Sequence, residues 1–345
     1  MSLEFRRVLF RSAMSHPFED LPTTPTAEEV LDKAFSRASR AGRAKEGFDA
    51  RRSMLRTAAN IASDNLENVV AAWPDFDRLD PFYRELADAV VASHTVDGDL
   101  SPGGVDVLRQ HLSEVGWAAR KVEELRDEYQ GRLSGDVDTA RKLRKQAFAR
   151  IADVVEEVGD DLAAVGAARD ALKTLPDVRP DEPAIVVAGY PNVGKSSFVN
   201  GVTNARNETA SYPFTTTEIR VGHYEHRRIR YQLVDTPGLL DRPPEERNDV
   251  ESQAVSALEH LADCVLVLVD ASGECGYPLE AQLALRDALA AEFDVPVLTV
   301  CNKADRSRDV EADHYMSVTE GENVEGVLRA AIDAVGHEPD LPFDE

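Results

Sequence analysis

The sequence predicts an all-α helical bundle followed by an α/β domain whose sheet is mostly parallel. Three observations predict it. Residues 26–172 carry long apolar stripes at helical spacing. From Ala184 onward, short apolar runs alternate with amphipathic helical ones. Between the first such pair, residues 189–196 read GYPNVGKS, the phosphate-loop pattern G-x-x-x-x-G-K-S/T.

Residues 1–13, MSLEFRRVLFRSA, set three arginines against one acid, unlike the acid-rich chain beyond them. They are expected to be a non-native leader, a cloning scar, with Met14 as the better start. The rival, a targeting peptide, lacks a clear cleavage pattern. The helical bundle is then expected over 14–175. Thr26 to Glu29 form a capping box that opens a run carrying Val30, Leu31, Ala34, Phe35 and Ala38. A second run holds Met54, Leu55, Ala58, Ile61, Ala62, Val69 and Val70, with Pro74 beyond it. A shorter segment starts near Pro81, and a third long run carries Val105, Leu108, Leu112, Val115, Ala119, Val122 and Leu125. A fourth is read as continuous from Leu143 to Leu172. Such stripes need one another as cover, hence a bundle.

Residues 176–183, with three prolines, read as a linker, 184–340 as the α/β domain and 341–345 as a tail. Strand-like runs lie at 184–188, 230–234, 264–269 and 295–300. Helical patterns lie around 249–261, 278–291 and 323–335.

Composition narrows the class. Lys and Arg number 39 against 63 Asp and Glu, a formal charge of −24. With 43% hydrophobic residues and long periodic runs, the chain is not a disordered acidic one. The acids are spread along the whole length, which favours a surface adapted to concentrated salt over one gathered for basic partners. Cys264, Cys275 and Cys301 show no metal or disulfide spacing. No apolar run is long enough to span a membrane and no signal peptide is evident, so a cytoplasmic location is expected.

Four motifs carry chemistry. In the phosphate loop, Gly189, Tyr190, Pro191, Asn192, Val193 and Gly194 would turn backbone N–H groups toward phosphate oxygens. Lys195 would reach the β- and γ-phosphates, the Ser196 hydroxyl would bind Mg²⁺, and Ser197 lies in the first helical turn. Asp235, Thr236, Pro237 and Gly238 form D-x-x-G at the end of an apolar strand. There Asp235 would hold Mg²⁺ and the Gly238 N–H would sense the γ-phosphate. Asn302, Lys303, Ala304 and Asp305 form N-K-x-D. The Asp305 carboxylate can accept from guanine N1–H and its 2-amino group, a donor pair that adenine lacks. Phe214 and Thr215–Thr217 lie between the phosphate loop and D-x-x-G. Thr216, with Thr215 in reserve, would add a hydroxyl to Mg²⁺ when γ-phosphate is present. Ser317 and Val318 match a loop that packs on guanine through backbone N–H groups. Singly, each is an ordinary turn or polar loop; in this order they make a specific set.

The stretches GYPNVGKSS, SYPFTTTEI, DTPGLLDRP and NKAD resemble the Obg-type G domain. LPTTPTAEEVLDKAFSRASRAGRAK and DNLENVVAAWPDFDRLDPFYREL are similar to the helical domain of the Nog family in its archaeal form. The resemblance implies an α/β P-loop GTPase domain behind a helical bundle. It implies a GTPase that assists assembly of the large ribosomal subunit, with rRNA and ribosomal proteins as partners and neither DNA nor a membrane. Its ligands are GTP or GDP with Mg²⁺. Eukaryotic members continue into a long C-terminal extension, whereas this sequence stops at Glu345, so contacts of that extension are not carried over. Asn192 matches the position that ligates K⁺ in potassium-activated GTPases, which makes it a catalytic candidate with Lys195 and Thr216. Leu239 stands where Ras-like proteins place a water-positioning Gln. Slow turnover without a partner is therefore expected. A nucleotide-gated interaction module and a translation or tRNA GTPase stay open beside it.

Two basic patches stand out in so acidic a chain. Arg37, Arg40, Arg43, Lys45, Arg51, Arg52 and Arg56 face only Glu46 and Asp49, and Arg141, Lys142, Arg144, Lys145 and Arg150 face no acid. They read either as RNA-phosphate surfaces or as solvated helix faces making local ion pairs.

Overall fold

The computed structural model describes residues 16–94, 104–133, 137–175, 177–203, 208–210, 219–247 and 249–337. The helices of the first half are α1 (Ala27–Arg43), α2 (Gly47–Ala71), α3 (Pro81–His94), α4 (Gly104–Arg132), α5 (Val137–Glu157) and α6 (Gly159–Leu172). Then come β1 (Ala184–Ala188), α7 (Lys195–Val202), β2 (Glu208–Ala210), β3 (Ile219–His226), β4 (Ile229–Asp235), α8 (Asp249–Leu261) and β5 (Cys264–Asp270). α9 (Leu279–Glu292), β6 (Val297–Asn302), β7 (His314–Tyr315) and α10 (Val324–Val335) complete it.

The chain divides into two compact units. One holds residues 18–78 and 94–173 and is built on α2, which packs against α1, α4 and α5. Ala58, Ala59 and Ala62 let neighbours approach its axis, while Leu55 and Leu66 are fully buried. Each such leucine stabilises the unit by about 2 kcal/mol. The capping box forms as expected: Glu29 N donates to Thr26 Oγ1 at 3.2 Å and Thr26 N to Glu29 Oε2 at 2.8 Å. The fourth apolar run is two helices, not one. Val158 leaves helical geometry (φ −99°, ψ 19°), yet Leu162 N still donates to its carbonyl at 3.0 Å. The stripe therefore continues across the break, and periodicity alone does not reveal it.

The other unit holds 79–93 and 174 onward, together with the stretch that ends at Pro17. Expected as part of the bundle, α3 instead groups with the sheet. Its Phe82, Leu86 and Val90 are buried, and the Tyr83 hydroxyl donates to the Val178 carbonyl at 2.5 Å and accepts from the Val178 N–H at 3.1 Å. The sheet has seven strands in the order β2-β3-β4-β1-β5-β6-β7 among the described residues. β4, β1, β5, β6 and β7 run parallel, and β3 is antiparallel to both β2 and β4. β1 and β5 are buried along their whole length, as two-sided central strands must be. The apolar runs at 230–234, 264–269 and 295–300 become β4, β5 and β6. The sequence does not predict β3, because IRVGHYEH mixes charge and Gly into an edge hairpin without a clean apolar face. The linker is pinned to the sheet: buried Gln232 of β4 accepts from Arg179 N at 2.8 Å and donates to Arg179 O at 2.7 Å. No described helix is long and apolar enough to cross a membrane.

Candidate nucleotide-binding site

Parallel pairing brings the chemical residues to one edge. β1, β4, β5 and β6 all end there, the crevice where open α/β sheets take their ligands. Gly189 follows β1, Asp235 ends β4, Asp270 ends β5 and Asn302 ends β6, with Val187 paired to Asp235 and Asp270 to Asn302.

The phosphate loop has the required curl. Gly189 (φ 127°) and Gly194 (φ 105°) lie in the region that favours glycine. A Cβ on Gly189 would meet the Leu268 carbonyl, and one on Gly194 the Asn302 amide. Asn192 is left-handed at φ 63° and exposed, and among the described residues its side chain makes no hydrogen bond. Tyr190 and Pro191 are half-buried, and the Tyr190 ring packs on Tyr277 with centroids 4.5 Å apart. Val193 is buried beneath the loop. α7 begins at Lys195 and aims its N-terminal amides at the loop. Buried Lys195 donates to Gly189 O at 2.5 Å and Tyr190 O at 3.1 Å. Burial lowers its pKa, against the carboxylates of Asp241 and Asp235.

Ser196 and Asp235 fit a hard cation. Asp235 is fully buried, and neither carboxylate oxygen has a regular hydrogen bond. Burial raises its pKa, against the nearby Ser196 hydroxyl, Lys195 and Arg220. No cluster of three or more His, Cys, Asp or Glu among the described residues is set to hold a metal alone. Ser197 is exposed on the first turn of α7. Thr236 is buried with its hydroxyl on Val187 O at 2.9 Å, so it braces β4 against β1. Pro237 leads into Gly238 (φ 76°), whose N–H donates to Asp241 Oδ2 at 3.0 Å. Phe214, Thr215 and Thr216 lie outside the described residues.

The N-K-x-D loop and the segment at Ser317 and Val318 are tied to the phosphate loop. Asn302 donates to Val193 O at 2.8 Å and accepts from Val318 N at 3.2 Å. Lys303 is left-handed (φ 55°), and its ammonium pairs with Asp270 at 2.7 Å. Burial would raise the Asp270 pKa, but Lys303 and the Ser272 hydroxyl and amide outweigh it and leave it lowered. Ala304 N donates to Met316 O at 3.0 Å, joining the N-K-x-D loop to the residue between β7 and Ser317. The Asp305 carboxylate is held low by the Ser317 hydroxyl first and by Arg306, 3.3 Å away. Ser317 Oγ also accepts from Glu320 N at 3.2 Å.

Three supporting residues lie outside the sequence motifs. Asp270 holds Lys303; Gln282 accepts from Asp270 N at 2.7 Å and donates to its carbonyl at 3.2 Å; Asp241 caps Gly238. An acid ending the buried run CVLVLVD is the available signal for Asp270. Gln282 and Asp241 carry none.

Comparison with known proteins places both parts of the chain. A family model described as "NOG1 N-terminal helical domain" matches residues 18–179, and one described as "50S ribosome-binding GTPase" matches 184–303. An uncharacterised protein of Methanocaldococcus jannaschii is 36% identical over 305 residues, covering 85% of this chain and 82% of that one. Nucleolar GTP-binding protein 1 of Candida glabrata is 30% identical over 87% of this chain and 46% of its own length. Its Saccharomyces cerevisiae counterpart is 29% identical over 91% and 49%. The chain thus spans about half the length of these two relatives. A solved Plasmodium falciparum chain described as a candidate nucleolar GTP-binding protein 1 is 31% identical. It covers 47% of this chain and 90% of its own, with a TM-score of 0.43.

Proposed function

The chain belongs to the nucleolar GTP-binding protein 1, or Nog, family, and from that premise we propose that it hydrolyses GTP to GDP and phosphate as a slow switch in large ribosomal subunit assembly. The observation that carries the chemistry is the pair of buried, unpartnered Asp235 oxygens near Ser196, at the mouth of the phosphate loop. Ser196 and Asp235, with Thr216 once nucleotide is present, would hold Mg²⁺. Bound there, the ion would neutralise charge on the β- and γ-phosphates. The chain's own groups do the rest. Lys195 leaves its two loop carbonyls for phosphate oxygens. Asp305 accepts from the guanine edge, and the Lys303–Asp270 pair keeps the strained N-K-x-D turn in place. Leu239 is buried and apolar, so it leaves the attacking water unoriented and supports slow turnover.

The proposed partner is a precursor of the large subunit in the cytoplasm, with rRNA met by the basic helix faces. Local ion pairing, the rival account of those faces, holds for Arg150, which pairs with Glu128 at 3.3 Å. None of Arg37, Arg40, Arg43, Lys45, Arg51, Arg52, Arg56, Arg141, Lys142, Arg144 or Lys145 forms a salt bridge among the described residues. Arg109, Arg126, Arg179, Arg247 and Arg308, elsewhere in the chain, all do. Arg51 and Arg144 instead converge on Met54 Sδ, at 4.0 and 3.7 Å, with no acid between them. The buried position of Leu239 equally favours a second reading, a nucleotide-gated module with negligible turnover.

Single-turnover GTP hydrolysis with and without purified large-subunit precursors separates the two. Precursor-stimulated hydrolysis supports the switch. Tight GTP-dependent binding to the particle without hydrolysis leaves the module, and failure to bind guanine nucleotide at all overturns both.

A further inference from the structure

We propose that Asp241 sets the balance between GTP and GDP, because its carboxylate takes the contact that a γ-phosphate would need. The inference rests on the guanine-nucleotide reading of the site. Gly238 N–H, the amide of D-x-x-G that would meet a γ-phosphate, is already bonded to Asp241 Oδ2 at 3.0 Å. Gly238 sits at φ 76°, which holds that amide toward the carboxylate three residues on. The Asp241 side chain is only 14% exposed, so its charge faces the site more than solvent. This acid thus takes the amide that the third phosphate would claim.

Among the described residues no second hydrogen bond holds the carboxylate. Its own neighbour Arg242 stands 4.0 Å away and is committed to Glu251 at 2.9 Å. The carboxylate can therefore be displaced, and the energy of displacing it falls on GTP and not on GDP. The plainer role is a cap for the turn after β4. A cap needs an acceptor oxygen but no charge, so Asp241→Asn would preserve it. Displacement by phosphate depends on charge as well, since two anions cannot share the one amide.

The test measures affinities of GDP and of a non-hydrolysable GTP analogue, with Mg²⁺, for wild type, Asp241→Ala and Asp241→Asn. GDP affinity is expected within about twofold of wild type in both variants. The analogue should bind about tenfold tighter to Asp241→Ala and several-fold tighter to Asp241→Asn, the size of a released charged hydrogen bond. An unchanged analogue-to-GDP ratio in both variants overturns the proposal, as does weaker analogue binding. Should Asp241→Ala fail to fold, Asp241→Asn, its melting temperature measured alongside, decides alone. Wild type binding neither nucleotide overturns the guanine-nucleotide reading itself. Wild type binding both with a ratio insensitive to Asp241 removes only this inference.

Discussion

The Asn302 side chain donates to the Val193 carbonyl at 2.8 Å across 109 residues of sequence, locking the N-K-x-D turn to the phosphate loop. Gly194, adjacent to Val193, has room for that amide only because it lacks a Cβ. Gly194→Ala is expected to push the amide out and to add left-handed strain, lowering stability by about 1–3 kcal/mol. Both GDP and GTP affinity should fall together. Thermal unfolding and fluorescent-nucleotide titration check this; a selective loss of one nucleotide would contradict it.

Asp305 offers only acceptors, held ionised by Ser317 and Arg306. Asp305→Asn replaces one acceptor by a donor, which mismatches guanine and suits the extra carbonyl of xanthine. GTP affinity should drop about 10–100-fold, the weight of an unmatched buried polar group, with xanthosine triphosphate gaining in its place. Competition between the two nucleotides measures it, and wild-type GTP affinity in the variant would remove the guanine assignment.

Arg144 sits half-buried, its pKa lowered by burial and by Arg51 and Arg141. Replacing Arg37, Arg40, Arg43, Arg51 and Arg52 with Gln should weaken binding to ribosomal particles and flatten its dependence on salt. GTP affinity should not change. Because like charges are being removed, the melting temperature should hold or rise. A lower melting temperature with unchanged particle binding would make these arginines structural.

Asn192 is exposed and left-handed, and among the described residues its side chain makes no hydrogen bond. A monovalent cation held by it would place positive charge beside the transferring phosphoryl group. Single-turnover hydrolysis should be faster in KCl than in NaCl at equal ionic strength. Asn192→Ala should lose the difference with GTP binding intact. Equal wild-type rates in the two salts would end the idea.

His223 accepts from Arg230 at 2.9 Å as a neutral ring. Burial first, then Arg230 and Arg179, push its pKa down to about 4. The folded state thus binds this proton less readily than the unfolded chain does, where His titrates near its ordinary value. Stability from the neutral ring is therefore full above the ordinary value and is lost as pH falls toward 4. His223→Gln should remove roughly 1–2 kcal/mol of that pH dependence, the group's partial exposure screening the rest. Urea midpoints of both proteins between pH 7 and 4 test it; parallel curves would exclude His223.

The motifs are legible because they are backbone devices of fixed spacing. GYPNVGKS, DTPG and NKAD each place a turn at the end of an apolar strand, and β1, β4 and β6 deliver them to one edge. What escapes depends on contacts between distant segments. Gln232 reads as a polar break in RYQLV until Arg179, 53 residues earlier, supplies its partners. Asp241 reads as a loop acid until Gly238 turns its amide toward it. α3 carries an amphipathic stripe like its neighbours, and a stripe does not say which surface will cover it. The threonine loop around Thr216 falls outside the described residues.

The placement of α3 bears on the order in which the protein can be made. A ribosome delivers α3 early, but apart from the stretch ending at Pro17, whose His16 ring stacks on Tyr83, the rest of its unit is translated later. β1 pairs with both β4 and β5, so its second neighbour must also be synthesised before the sheet closes. Until then Phe82, Leu86 and Val90 have no native cover, although helices on either side of α3 are already free to pack. Long-range parallel pairing is slow, and an uncovered apolar helix is sticky. Synthesis order thus leaves α3 without most of its unit for as long as the sheet strands are untranslated. A chaperone, or the ribosome's own surface, would find its hold there.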